Sequence, residues 1–276
     1  MIKNEQANHS ICLGDVGIIG LAGRMGQRII SCLEKQKGYR SIGGYDRVCS
    51  ENEPSEKGSK ESLKKVQFFS TLDELFEKSS LVLDFSAASL FPDTLRAGRL
   101  YPRPMVVGTT GISQSMRHDL SEISQNVPIV VAPNTSLGAV IQRWVAGKLS
   151  QFLPNSYDID IVETHHRYKQ DSPSGTALAL ADAIIEAKRD LCVDISVGTT
   201  TSPRKDNRIE MHALRCGHVS GMHDVIWTGA DDRLVFGHTV FSPHIFADGA
   251  IVLARWLAQG QNPGIYRVED VLGLTN

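Results

Sequence analysis

The chain has 276 residues, 41% hydrophobic and 22% charged, with a formal net charge of -2 at pH 7. That length exceeds one small core and suits two domains of ordinary size, and the composition excludes a disordered chain. Lys/Arg and Asp/Glu are interspersed, leaving no electrostatic footprint for nucleic acid or an anionic membrane, and no apolar run approaches the roughly 20 residues a membrane span needs.

The opening residues, Met1 to Cys12, lack the apolar core of a signal peptide, so a cytoplasmic protein is expected. Cys12, Cys32, Cys49, Cys192 and Cys216 contain no Cys-x-x-Cys spacing. They read as reduced thiols, not as a disulfide framework or a zinc site, and no metal is expected.

Val16 to Ile19 reads as a buried strand, and a helix with Ile29, Ile30 and Leu33 on one face follows it. Further strands are predicted at Ser41 to Tyr45, Gln67 to Ser70, Leu81 to Phe85, Met105 to Val107 and Ile129 to Val131, mostly with helix-length segments between. Strands that alternate with helices and are apolar throughout predict βαβ units and a parallel sheet of Rossmann type. Glu51 to Lys65 is polar and charged and reads as an exposed loop.

A helix is predicted from Thr135 to Phe152 with Ser136 as N-cap, and then the pattern changes. Tyr157 to Glu163 alternates like a half-buried strand, a helix runs from about Ser174 to Lys188, and Ile195 to Val240 reads mostly as strands with turns. This is an α+β domain with a mixed sheet. Phe246 to Gln259 is again an apolar helix, expected to return to the first domain. The expected division is therefore 1–134 with 247–276 for dinucleotide binding, and 135–246 for substrate binding and oligomerisation.

Gly20-Leu21-Ala22-Gly23-Arg24-Met25-Gly26 follows a strand and opens a helix. It is a variant of the G-x-G-x-x-G fingerprint with alanine in the middle. Gly20 permits the tight turn, Gly23 lets backbone approach a pyrophosphate, and Gly26 allows close helix–strand packing. The helix amides then face the diphosphate, and Arg24 is placed to add a charge-assisted contact. Asp46 ends the second strand where a ribose-binding acid is expected, and Arg47 beside it suits a 2′-phosphate, so NADH and NADPH both remain open. Gly108-Thr109-Thr110-Gly111 and Ala132-Pro133-Asn134-Thr135 follow the fifth and sixth strands, where the nicotinamide half belongs.

Glu163 to Thr176, ETHHRYKQDSPSGT, is the densest chemical stretch. His165 and Lys169 share a parity and can reach one pocket as proton donors. Ser174-Gly175-Thr176 opens an Ala-rich helix whose first amides suit a substrate carboxylate. A non-catalytic NAD(P) sensor would explain the glycine loop but not this cluster. A metal hydrolase is a further alternative, but His218 and His223 lack ligand spacing.

At these residues the chain resembles the 4-hydroxy-tetrahydrodipicolinate (dihydrodipicolinate) reductase family. The resemblance spans nearly the whole chain. It runs through Gly-Arg-Met-Gly at Gly23 to Gly26, Asp84-Phe85-Ser86, Gly108 to Gly111, and Asn134-x-Ser136-x-Gly138. It continues through Glu163 to Thr176, Arg215-x-Gly217-x-Val219-x-Gly221-x-His223, and Phe246-Ala247-x-Gly249-Ala250. The run His-His-Arg-x-Lys-x-Asp-x-Pro-Ser-Gly-Thr-Ala is highly specific, and an aspartate or homoserine-type dehydrogenase is not expected to carry it.

The resemblance implies that His165 and Lys169 are catalytic and that His166, Gly175 and Thr176 contact the carboxylates of a cyclic dicarboxylate. It implies cofactor contacts at Gly20, Leu21, Ala22, Gly23, Arg24, Met25, Asp46, Arg47, Gly108, Thr109, Thr110, Ala132, Pro133, Asn134 and Thr135. It further implies NADH or NADPH as reductant, a place in lysine and diaminopimelate biosynthesis, and a homotetramer assembled through the second domain's sheet. Thr135 and Pro243 depart from the aromatic residue and the arginine common at those places in the family.

Overall fold

In the computed structural model, residues 11–35, 38–47, 66–188, 194–197 and 203–274 are described. The loop expected over Glu51 to Lys65, and Cys49 and Cys192, lie outside them. The chain divides into two compact units, one running to Thr135 and resuming at His244, the other Ser136–Pro243.

The first unit is built on a seven-stranded sheet, β1 (Asp15–Ile19), β2 (Ser41–Tyr45), β3 (Gln67–Phe68), β4 (Leu81–Asp84), β5 (Met105–Val107), β6 (Pro128–Val131) and β12 (Gly264–Arg267). The order is β12-β6-β5-β4-β1-β2-β3 and every pairing is parallel. The strand order reverses between β1 and β4, which makes the carboxyl end there the crevice of a doubly wound fold.

Helices α1 (Arg24–Lys35), α2 (Leu72–Lys78), α3 (Phe91–Leu100) and α4 (Gln114–Ile123) connect the strands. In α1, Gly26, Ile29, Ile30 and Leu33 form the i, i+3, i+4, i+7 stripe that buries the helix. The core joins Ile19, Val82, Met105, Val107 and Ile129 of the strands to Phe76, Phe91, Leu95 and Leu120 of the helices. Helix α7 (His244–Ala258) packs on α1, β4, β5 and β6 of this unit. β12 and the short α8 (Val268–Leu272) were not anticipated: Gly264–Arg267 pairs with β6 through only four residues, too few for a periodic signal. Conversely, the third strand is shorter than expected, ending at Phe68.

The second unit holds a mixed sheet in the order β11-β10-β7-β9-β8. Its strands are β7 (Asp158–His165), β8 (Asp194–Val197), β9 (Arg208–Arg215), β10 (Gly221–Thr228) and β11 (Arg233–Val240). β10 runs antiparallel to β7 and β11, while β7, β9 and β8 are mutually parallel. Helices α5 (Leu137–Phe152) and α6 (Gly175–Ala187) pack on one face of this sheet. Ser136 is the N-cap of α5, as expected, and accepts from Ala139 N, which leaves Thr135 outside the helix. In α6 the stripe Ala177, Leu180, Ala181 and Ile184 meets Ile159, Ile161, Ile209, Met211, Val225 and Trp227 of the strands.

Candidate functional site

The first group of candidate residues gathers at the carboxyl end of the parallel sheet. Gly20 leaves β1 with φ of 83°, a left-handed conformation that favours glycine, and a Cβ there would lie 2.7 Å from Phe85 O across the switch point. A Cβ on Gly26 would sit 2.4 Å from Gly20 O and 2.6 Å from Leu21 O, so glycine is what allows α1 to start against β1. Leu21 is buried, while Ala22, Gly23 and Arg24 are exposed and Met25 is half-buried. Asp46, after β2, accepts from Ala22 N at 2.9 Å, which ties the acid to the glycine loop. Arg47 donates to Ser89 O at 3.3 Å and lies 3.7 Å from Asp93.

The loops after β4, β5 and β6 complete this rim. Asp84 is fully buried; its Oδ1 accepts from Ser86 N and from Thr109 Oγ1, both at 2.9 Å. Burial holds its carboxyl above the usual range, against the lowering effect of those bonds. Thr109 is thus anchored, while Gly108 is half-buried and Thr110 exposed. Ala132 is buried, Pro133 exposed and Asn134 half-buried. Thr135 is buried, and its hydroxyl donates to Phe246 O at 2.7 Å, binding this loop to α7. An open backbone loop at a helix start, an acid held beside it and three more strand-end loops fit a dinucleotide.

The second group lies at the carboxyl end of β7. Ile159, Ile161, Glu163 and His165 alternate onto the helix-covered face, with His223 of β10 opposite Glu163 and Arg215 of β9 opposite His165. The apolar core therefore ends in a polar cluster. Glu163 is only 1% exposed and its carboxylate takes four donors. Arg215 Nη1 donates to Oε2 and Nη2 to Oε1, each at 2.8 Å; Ser174 N donates to Oε1 at 3.1 Å; and His165 Nδ1 donates to Oε2 at 2.5 Å. Burial pushes Glu163 up, but the bonds from Arg215 and His165 outweigh it, and its carboxyl stays below the usual range.

His165 is pulled below its usual value by burial, against the hydrogen bond and charge of Glu163 and with the positive charges of Lys169 and Arg215. Its ring meets that of His223 edge-on, centroids 5.1 Å apart. His223 Nε2 shares a 2.8 Å hydrogen bond with Ser174 Oγ, which also accepts from Ala177 N as the N-cap of α6. Burial, with the charge of His165 adding to it, lowers His223 to about 4. Lys169 Nζ donates to both carboxylate oxygens of Asp171 at 2.8 Å. His166 Nδ1 is buried with no hydrogen-bond partner among the described residues. Gly175 is exposed and Thr176 half-buried on the first turn of α6.

His165, Lys169, Gly175 and Thr176 are thus drawn to one end of the second sheet, as the sequence pattern leads one to expect. Glu163, Arg215 and His223 were given no individual role on the sequence. For Glu163 a signal existed, an acid two residues before His165 on the same strand face. Arg215 and His223 bound a run that the resemblance includes, but their partnership with Glu163 and His165 comes only from strand pairing. Among the described residues no group of three or more His, Cys, Asp or Glu is arranged to hold a metal ion.

A parallel sheet with a glycine loop at its switch point, followed by a mixed sheet that ends in a polar His, Glu and Arg cluster, is the build of a nicotinamide-dependent oxidoreductase. Residues 15–135 match the family described as dihydrodipicolinate reductase, N-terminus, and residues 138–272 match dihydrodipicolinate reductase, C-terminus. The chain belongs to the dihydrodipicolinate reductase family.

Curated relatives named 4-hydroxy-tetrahydrodipicolinate reductase agree. The one from Zymomonas mobilis is 35% identical over 262 residues, covering 94% of this chain and 97% of its own. That from Campylobacter jejuni serotype O:23/36 is 36% identical over 262 residues, covering 94% and 99%. Among solved structures, a dipicolinate-bound dihydrodipicolinate reductase from Paenisporosarcina sp. TG-14 superposes with a TM-score of 0.74 at 20% identity, over 92% of this chain and 97% of that one. A scyllo-inositol dehydrogenase from Lactobacillus casei, with a TM-score of 0.58 at 12% identity over 96% and 93% of the two chains, shares the fold alone. The C-terminal family match includes α7, β12 and α8, which belong structurally to the first unit.

Proposed function

We propose that this chain reduces 4-hydroxy-tetrahydrodipicolinate to tetrahydrodipicolinate with NADH or NADPH, in lysine and diaminopimelate biosynthesis. The observation that carries the reading is the polar end of the second sheet, where His165 and Lys169 stand beside the N-terminus of α6. Proton donors next to a helix N-terminus suit a substrate that is dianionic and must take up a proton. The dipicolinate in the name of the Paenisporosarcina relative is a cyclic dicarboxylate of this kind.

Gly20 to Met25, Asp46, Arg47, Gly108 to Thr110 and Ala132 to Thr135 would hold the nicotinamide cofactor, which supplies the hydride when bound. Asp46 serves the ribose hydroxyls of NADH and Arg47 the 2′-phosphate of NADPH, so both cofactors are accepted. The amides of Gly175 and Thr176 take one substrate carboxylate and His166 assists. The unpartnered His166 Nδ1 gives it a nitrogen for that purpose. Loss of the 4-hydroxyl with a neighbouring ring proton as water gives the conjugated ring; hydride delivered to that ring would leave an electron pair on it, and His165 or Lys169 donates the proton that ends at the ring carbon. Lys169 also offsets the negative charge of the substrate.

We place the protein in the cytoplasm, where the thiols of Cys12, Cys32 and Cys216 stay reduced. We assign it a homotetrameric assembly through the outer face of the second sheet, which presents Leu214 and Val235 exposed.

The test mixes purified protein with the freshly formed condensation product of pyruvate and aspartate semialdehyde, and follows absorbance loss of NADH and NADPH in parallel. Substrate-dependent oxidation of both is expected. Tight cofactor binding with no oxidation would support the sensor alternative and overturn the reading.

A further inference from the structure

We propose that Glu163, clamped by Arg215, is the positioning residue of the reaction: it fixes His165 with the proton on Nδ1 and ties that ring to the start of α6. This rests on the reductase reading above and adds residues that the reading does not use.

The geometry carries the inference. A carboxylate buried to this degree is costly unless fully satisfied, and the bidentate Arg215 pair supplies two donors at 2.8 Å. A purely structural ion pair would need little more. Here the remaining two positions go to His165 Nδ1 and to the amide of Ser174. An ionised carboxylate only accepts, so Nδ1 must carry a proton and Nε2 becomes the nitrogen that gains and loses the other. The neighbouring strand leaves that nitrogen without a side chain over it. Gly221 of β10 lies beside it, and a Cβ there would stand 3.2 Å from His165 Nε2. The same carboxylate holds the N-cap residue of α6, so ring and carboxylate cradle share one anchor.

The charges facing His165 have opposed effects. Lys169 from the following loop and Arg215 from β9 are the cations facing the ring and Glu163 is the anion, while His223 from β10, lowered to about 4 and itself faced by His238 of β11, stands beside it as a neutral ring. Asp171 is spent on Lys169 and Arg215. Removing Glu163 therefore lowers the pH at which His165 loses its proton, while removing the Arg215 charge raises it. A general loss of packing would not move the two variants in opposite directions.

The experiment compares wild type, Glu163→Gln and Arg215→Gln. Turnover is followed against pH with saturating cofactor, and nitrogen-15 spectra of labelled histidine identify the tautomer, the His165 signal being the one missing from His165→Gln. In the wild type, neutral His165 is expected as the Nδ1–H tautomer. Glu163→Gln should lower kcat by about 100-fold, the scale of a mispositioned general acid, with little change in cofactor Kd. Its proton-loss limb should move to lower pH, and that of Arg215→Gln to higher pH. A wild-type Nε2–H tautomer, or variants that keep the wild-type pH profile and kcat per folded molecule, would overturn the proposal. The tautomer is read on the wild type, so the idea stays testable if Glu163→Gln does not fold. The tautomer readout is also independent of turnover, so an inactive wild type with Nδ1–H on His165 would sink the functional reading, and an active one with Nε2–H the positioning role.

Discussion

Gly175 opens α6, and a Cβ built on it meets nothing within 4 Å. Alanine there should fold without strain and gain about 0.5 kcal/mol by restricting the unfolded chain. Yet the new methyl group would stand where a substrate carboxylate approaches the helix amides. Gly175→Ala should therefore keep or slightly raise the melting temperature and leave cofactor Kd unchanged. KM for the dicarboxylate should rise about tenfold, the equivalent of about 1.4 kcal/mol. A rise in KM accompanied by a lower melting temperature would point to damaged packing and not to a carboxylate cradle. Residues of this kind could be singled out in the sequence because they are close together in the chain. His165, Lys169, Gly175 and Thr176 lie within one short segment, and Ser174 announces the helix they precede. Arg215 and His223 were not legible as partners, since 52 residues of chain separate Arg215 from the Glu163 it clamps.

At the scale of elements, β1, β2, β4, β5 and β6 and most of the helices follow from the apolar periodicity, because those strands are largely buried and each helix buries one stripe, whereas β3 is exposed at both its residues. The elements that escaped are those stabilised by what they pack against. β12 takes its shape from pairing with β6, and α8 is one turn of helix ended by Gly273. The start of α1 depends on a specific close approach. A side chain on Gly26 would meet the backbone of Gly20 and Leu21, which cannot yield as a flexible side chain would. Gly26→Ala should destabilise the first unit by about 1–3 kcal/mol, as overpacking does, and should weaken nicotinamide binding by deforming the loop. Thermal melting and cofactor titration check both. Unchanged values would mean that the loop is more plastic than its contacts imply.

Across the whole molecule, the two units carry different chemistry. The parallel sheet brings five loops to one rim, and the mixed sheet brings a buried Glu163, Arg215 and His223 to the end of β7, where His165 stands. In the proposed function the proton comes from this second cluster and cofactor binding belongs to the first unit. The most direct measurement is turnover and cofactor affinity on one preparation of His165→Gln. There kcat should fall by about 100-fold or more, the contribution of a general acid, while Kd for NADH and NADPH should stay within about twofold, an energy difference of about 0.4 kcal/mol. Equal losses in turnover and cofactor affinity, or wild-type turnover, would contradict it.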